Sequence, residues 1–213
     1  MEGNSLRATG WFGLGLLFIW AALAGHAQDL TAGFKSGQYE QLFLAVSTEG
    51  RVTGYYREDQ GSGVVKSCTF YLRGQSRGQS SEIPITAWSE VAFPGKLKAL
   101  TNGVSLAIPQ AGDFPGCGLV LLPQISEGLQ LDRVREAGWS ELRSASSQRV
   151  QLHPGPETIK STPAFLTKGE VVGVLARKGA WLKVERLGTT AAAVGWLKEQ
   201  DTAELIPPKT SGS

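Results

Sequence analysis

The chain has 213 residues, 41% of them hydrophobic, with 21 Lys and Arg against 19 Asp and Glu and a formal net charge of +2. This length suits one large domain or two small ones, either of which buries a sizeable core. The near-balance of charge argues against a basic-stripe nucleic-acid binder, because the densest basic spots, Lys96/Lys98 and Arg177/Lys178, form no run.

The N-terminus has the pattern of a secretory signal. Met1 to Gly10 carries Arg7, Trp11 to Ala24 is apolar or small, and Ala22-Leu23-Ala24 and Gly25-His26-Ala27 offer cleavage positions. The apolar run is shorter than the ~20 residues that span a bilayer, which favours a cleaved leader over residues 1–27 rather than an anchor. No cysteine lies near either cleavage position, which disfavours a lipid anchor, and no second long apolar run follows. The expected location is periplasmic or secreted, in a Gram-negative-like bacterium, with a soluble mature chain.

Two cysteines occur, Cys68 and Cys117. In an exported chain an even count reads as a disulfide. A loop of roughly 50 residues closed this way is worth about 4 kcal/mol in the chain-entropy model. Free thiols are the rival reading, and two cysteines with no nearby histidine make a poor zinc site.

Residues 28–38 form a polar lead-in. Leu42, Leu44 and Val46, then Val52, Gly54 and Tyr56, alternate about the Glu49-Gly50 turn, which predicts a hairpin. Residues 58–64 read as a loop. Val65 to Leu72 reads as a strand, with Cys68, Phe70 and Leu72 on its core face. Residues 74–81 form another loop, and Ile83 to Trp88 is a strand that Pro84 restricts to an edge or a strand start. Pro94-Gly95 reads as a turn. Asn102-Gly103 predicts a hairpin between 96–100 and 104–108. A loop at 109–118 delivers Cys117, and short strands are expected at 119–122 and 129–135. Residues 124–137 have a trace of helical period, which Gly128 opposes. Close-spaced strands and glycine-rich turns define an all-β chain. The first domain, residues 28–145, is expected to be a disulfide-closed antiparallel barrel or curled sheet of six to eight strands. Its phrase Gly50 to Tyr56 is faintly similar to hairpins of avidin-like and lipocalin-like barrels, a likeness too short to carry a ligand. The small, polar Ser144-Ala145-Ser146-Ser147 marks the boundary with a second domain at 146–208, and 209–213 reads as a disordered tail.

The second domain is punctuated at His153-Pro154-Gly155-Pro156, Thr167-Lys168-Gly169-Glu170, Arg177-Lys178-Gly179-Ala180 and Gly195-Trp196-Leu197, with apolar strands at Val150 to Leu152, Pro163 to Leu166, Val171 to Leu175 and Trp181 to Val184. Over about residues 149–206 this resembles the bacterial SH3-like (SH3b) small barrel, whose signature turn the Lys-Gly-Glu phrase matches and whose closing motif the Gly-Trp pair matches. The resemblance implies a module that binds cell-wall peptides or acts as a spacer beside a cell-wall enzyme. It makes Trp181 and Trp196 candidates for an exposed aromatic shelf, against the alternative of core packing, and His153 a candidate contact, against a plain turn histidine. The Ala-rich segment 187–194 is a candidate loop at a binding face.

No catalytic constellation is legible. Removing the leader leaves His153 as the only histidine, too few for a His-rich metal site or a convincing triad. The glycine-rich pieces lack the lysine and helix start of a phosphate-binding loop, and the lone Asp113 is not a calcium site. Glu58/Asp59, Asp132/Glu136 and Glu199/Asp201 are the pairs that glycoside cleavage would draw on. The expectation is a non-enzyme without a cofactor, recognising peptidoglycan or a periplasmic protein. An inhibitor or immunity protein that inserts loop 58–64, 74–81 or 109–118 into a secreted cell-wall hydrolase is the second reading. A hydrolase built on an acid pair is the third.

Overall fold

A computed structural model describes residues 33–77, 80–188 and 193–208. The expected leader at 1–27 and tail at 209–213 lie outside the described residues, as do parts of the segments 74–81 and 187–194. Among the described residues no helix is long and apolar enough to cross a membrane.

The chain is all-β. Eight antiparallel strands close an up-and-down barrel in sequence order: β1 (Gly37–Tyr39), β2 (Leu42–Val46), β3 (Arg51–Gln60), β4 (Lys66–Gln75), β5 (Glu82–Trp88), β6 (Ala92–Ala99), β7 (Gly103–Ala107) and β8 (Leu129–Glu136), with β8 returning to pair with β1. Period-two alternation does the sorting. Leu42, Leu44, Val52, Tyr56, Phe70, Leu72, Leu97 and Leu106 fill the interior and are almost fully buried. The segment 108–128 does not form the strand expected at 119–122. It folds as three 3-10 turns, Ala111–Asp113, Cys117–Leu119 and Pro123–Ser126. It packs Ile108, Phe114, Cys117, Val120 and Ile125 into the same core, so it caps one end of the barrel. The disulfide Cys68–Cys117 ties this cap to β4.

Three boundaries differ from the sequence reading. β3 and β4 run on through Gln60 and Lys66, because Glu58, Asp59 and Gln60 pair with Cys68, Ser67 and Lys66. A ladder needs backbone groups, and exposed polar side chains do not end it. Pro94 lies inside β6, and the turn expected there is at 89–91, where Trp88 pairs with Ala92. Strand stagger makes both prolines tolerable. The β4 ladder stops at Ile85, one residue before Pro84, and the β7 ladder starts at Lys96, beyond Pro94. Finally, residues 141–145 do not belong with the barrel. They form β9 (Glu141–Ala145), which pairs with β12 (Val171–Lys178) and β15 (Thr202–Glu204).

The second sheet has the order β14-β13-β12-β9-β15, with β13 at Trp181–Arg186 and β14 at Val194–Lys198. A two-stranded sheet, β10 (Val150–Gln151) with β11 (Phe165–Leu166), shares its core of Val150, Leu152, Leu166, Val172, Val174, Leu182, Val184 and Leu197. Gly169, at φ 86°, makes the Lys-Gly-Glu turn.

The barrel wall facing this sheet is aromatic. Phe43, Tyr55, Tyr71 and Trp88 are successive cross-strand partners, with ring centroids 6.1, 5.6 and 5.9 Å apart. Such pairs contribute roughly 0.2–1 kcal/mol each. Trp139, Leu142, Val171, Leu187 and Leu205 cover this row. Desolvation there lifts the Tyr55 and Tyr71 hydroxyls above their ordinary pKa. Ser36 donates to the Trp139 carbonyl at 2.6 Å, and Leu142 N–H donates to Thr53 Oγ1 at 3.0 Å.

Candidate functional site

Trp181 opens β13, immediately after the Gly179-Ala180 turn, and Lys198 is its cross-strand partner on β14. On the other side of β14, His153 forms an isolated bridge with Trp196, each N–H donating to the other's carbonyl at 2.8 Å. Gly195 makes this approach possible, because a Cβ there would meet Leu152 Cβ at 2.9 Å. His153 thus stands beside Trp181, its ring edge-on to the indole with centroids 5.3 Å apart. Lys198 Nζ lies 5.9 Å from the indole centroid, within reach of a weak cation–π contact. His153 Nδ1 is 3.1 Å from the Lys160 carbonyl. A carbonyl only accepts, so Nδ1 carries the proton of this hydrogen bond.

These groups line a groove of about 470 Å³, with Arg149, Thr158 and Asp201 on its walls. Arg149 is braced over the Phe165 ring at 3.8 Å. Trp181 and Trp196 are both half-buried, and the core beneath them is filled by Leu182, Val184 and Leu197. Strand alternation puts both rings on the face away from that core. The structure brings Trp181 and His153 together in the groove. Trp196 joins His153 through its backbone and is not among the groove's lining side chains. The arrangement offers a flat apolar indole face flanked by Lys198 and Arg149, with Glu157 and Asp201 also on the walls. That is chemistry for stacking a ring or peptide that carries charged groups of either sign.

The three acid pairs are engaged separately. Glu58 accepts from the Tyr56 hydroxyl at 2.6 Å and from Gln60 at 2.9 Å. Asp59 accepts from the Ser67 hydroxyl and pairs with Arg57, and the Ser67 bond chiefly holds its carboxyl below the usual range. Glu136 pairs with Arg133 at 2.8 Å, and Asp132 is exposed. Glu199 is held low mainly by its hydrogen bond from Arg177. A general acid for glycoside cleavage needs a raised pKa, whereas the carboxyls that shift, Glu49, Asp59, Glu170 and Glu199, all move down. Among the described residues no group of three or more His, Cys, Asp or Glu is placed to hold a metal ion.

Sequence reasoning missed Trp139 and Glu185. The Trp139 indole N–H donates to Glu185 Oε2 at 2.8 Å, Arg135 pairs with Glu185 Oε1 at 2.7 Å, and all three sit where the barrel meets the second sheet. A glutamate between Val184 and Arg186 gives no sequence signal that it is buried. No family model, curated protein or solved structure matches this chain.

Proposed function

We propose that this protein is an exported, non-catalytic binding protein that recognises a cell-wall (peptidoglycan) or protein ligand through its C-terminal sheet, read as an SH3-like (SH3b) barrel. The groove at Trp181 carries this reading, because its half-exposed indole, the edge-on imidazole and Lys198 are held by backbone pairing, and Arg149 is braced over Phe165. The Lys-Gly-Glu turn and the close approach at Gly195-Trp196 support the family reading. The internal disulfide supports export, since such bonds persist in oxidising compartments. Co-sedimentation with purified peptidoglycan tests the function. Retention of the wild type, lost in Trp181→Ala at unchanged melting temperature, is the expected result, and no retention of the wild type overturns the cell-wall form of the reading. Release of soluble wall fragments by the wild type would overturn the non-catalytic part.

The inhibitor reading stands second. Of its expected insertion loops, 58–64 and 109–118 lie at one barrel end, where Cys68–Cys117 ties the second to β4. The described ends of segment 74–81, at Gln75 and Ser81, are at the opposite end. A one-to-one complex with a purified cell-wall hydrolase that loses its activity would favour this second reading.

A further inference from the structure

The up-and-down order puts the connections 40–41, 61–65, 89–91 and 108–128 at one end of the barrel, and 47–50, the strand ends Gln75 and Glu82, and 100–102 at the other. The first end carries five exposed large apolar side chains: Val64 (87% exposed), Val65, Val91, Leu119 (71%) and Leu122. The backbone around them is braced at the cap. Gln60 donates to the Val120 carbonyl at 2.9 Å, the disulfide joins the cap to β4, and Phe93 packs on Phe114 at 5.1 Å. Several exposed apolar groups at one end of a fold mark an interaction face.

Charge is segregated along the same axis. Among the described residues of the barrel, the apolar end holds Glu40, Glu58, Asp59, Glu90, Asp113 and Glu127 against Arg57, which pairs with Asp59, and Lys66. In the opposite half of the barrel the basic side chains Lys35, Arg51, Arg73, Arg77, Lys98, Arg133 and Arg135 outnumber the acids Glu49, Glu82, Asp132 and Glu136. The chain's near-neutral total conceals this polarity.

We propose that the disulfide-pinned end of the barrel, with Val64, Val65, Leu119 and Leu122 inside a rim of carboxylates, is a docking face for a protein surface that presents apolar side chains ringed by lysine or arginine. The carboxylate rim selects this occupant. A second copy docked face to face would set acids against acids. Docked head to tail, it would set these apolar side chains against turns that hold no exposed large apolar residue among the described residues. An anionic membrane would be repelled by the same rim. The face is separate from the Trp181 groove and does not require the partner to be an enzyme.

Fluorescence anisotropy with the full-length protein and two labelled amphipathic peptides, one of leucine and lysine and one of leucine and glutamate, tests the proposal. The lysine peptide is expected to bind at least about tenfold tighter, and its affinity to fall with added salt. V64S/L119S/L122S should lose about tenfold. E58Q/D113N/E127Q should also weaken binding and flatten the salt dependence. All six positions are at the surface or partly exposed, and circular dichroism checks that both variants fold. Equal binding of the two peptides, or full binding by either variant, would overturn the proposal. So would adsorption to phosphatidylcholine vesicles that V64S/L119S/L122S abolishes, which would make the face a lipid contact.

Discussion

Trp139 and Glu185 join the two halves of the molecule: the indole N–H, on the segment leaving the barrel, donates at 2.8 Å to a carboxylate on β13 that is 5% exposed. Glu185 has one other strong partner, Arg135. Trp139→Phe keeps most of the ring and removes the donor, leaving a buried carboxylate short of a hydrogen bond. The expected cost is about 1–3 kcal/mol, read as a lower urea midpoint at unchanged slope. Adding Glu185→Gln should recover part of it, because a neutral amide suffers less from the missing donor.

Gly173 on β12 tests the packing of the same indole. A Cβ at this position would lie 2.3 Å from Trp139 Cδ1. Gly173→Ala is expected to destabilise the protein by about 1–3 kcal/mol through overpacking, although alanine suits a strand better than glycine does. A melting temperature equal to or above that of the wild type would refute the close seat of the ring.

Reduction of Cys68–Cys117, which are separated by 49 positions, should lower unfolding stability by about 4 kcal/mol. Urea titration with and without reductant measures it. Reduction should also loosen the cap at 108–128 first, seen as faster amide exchange there than in β12 or β13.

Trp181→Ala removes a half-buried ring lying outside the core of Leu182, Val184 and Leu197. It should shift stability by less than about 1 kcal/mol and still abolish wall retention. A large loss of stability, seen in thermal melts, would show that the ring holds the sheet together instead.

Acid should destabilise the fold. The pKa values of Asp59, Glu170 and Glu199 lie below their ordinary 3.8, 4.5 and 4.5. For Glu170, burial pushes upward, and the Thr167 N–H and Arg186 outweigh it. A folded-state pKa below the unfolded one means that the unfolded chain takes up the proton first. The stability from these groups is therefore full above their ordinary values and lost as pH falls through them toward the folded values. Urea midpoints should drop between about pH 5 and pH 3, and Arg186→Gln should reduce the drop.

Much of this architecture is legible in short-range pattern. The alternation around Glu49-Gly50 sets the β2–β3 hairpin, and Cys68 falls on the core face with Phe70 because side chains alternate. Asn102-Gly103 marks its hairpin for a different reason from the one expected. Neither residue has positive φ, but a Cβ on Gly103 would meet the Leu131 carbonyl oxygen at 2.4 Å. What is not legible depends on long-range partners. Glu141 to Ala145 reads equally well as the last strand of one sheet or the first of another, and only pairing with Val171 to Val174 decides it. The run Leu42 to Val46 held an unused clue. Phe43 and Ala45 break the polar alternation of a solvent-facing wall because that wall is covered. At the groove, Trp181 was visible as a residue type, whereas its meeting with His153 depends on the bridge to β14.

The covered aromatic row also sets the smallest unit of this chain that can be handled in solution. A fragment ending at Ala145, where the serines invite a cut, would strip Val171, Leu187 and Leu205 from Phe43, Tyr55, Tyr71 and Trp88. It would also leave β9 without either neighbour in its sheet. Such a fragment presents a sticky wall and a bare strand edge, two routes to aggregation. Expression trials that divide the chain should therefore keep both halves of the seam in one polypeptide.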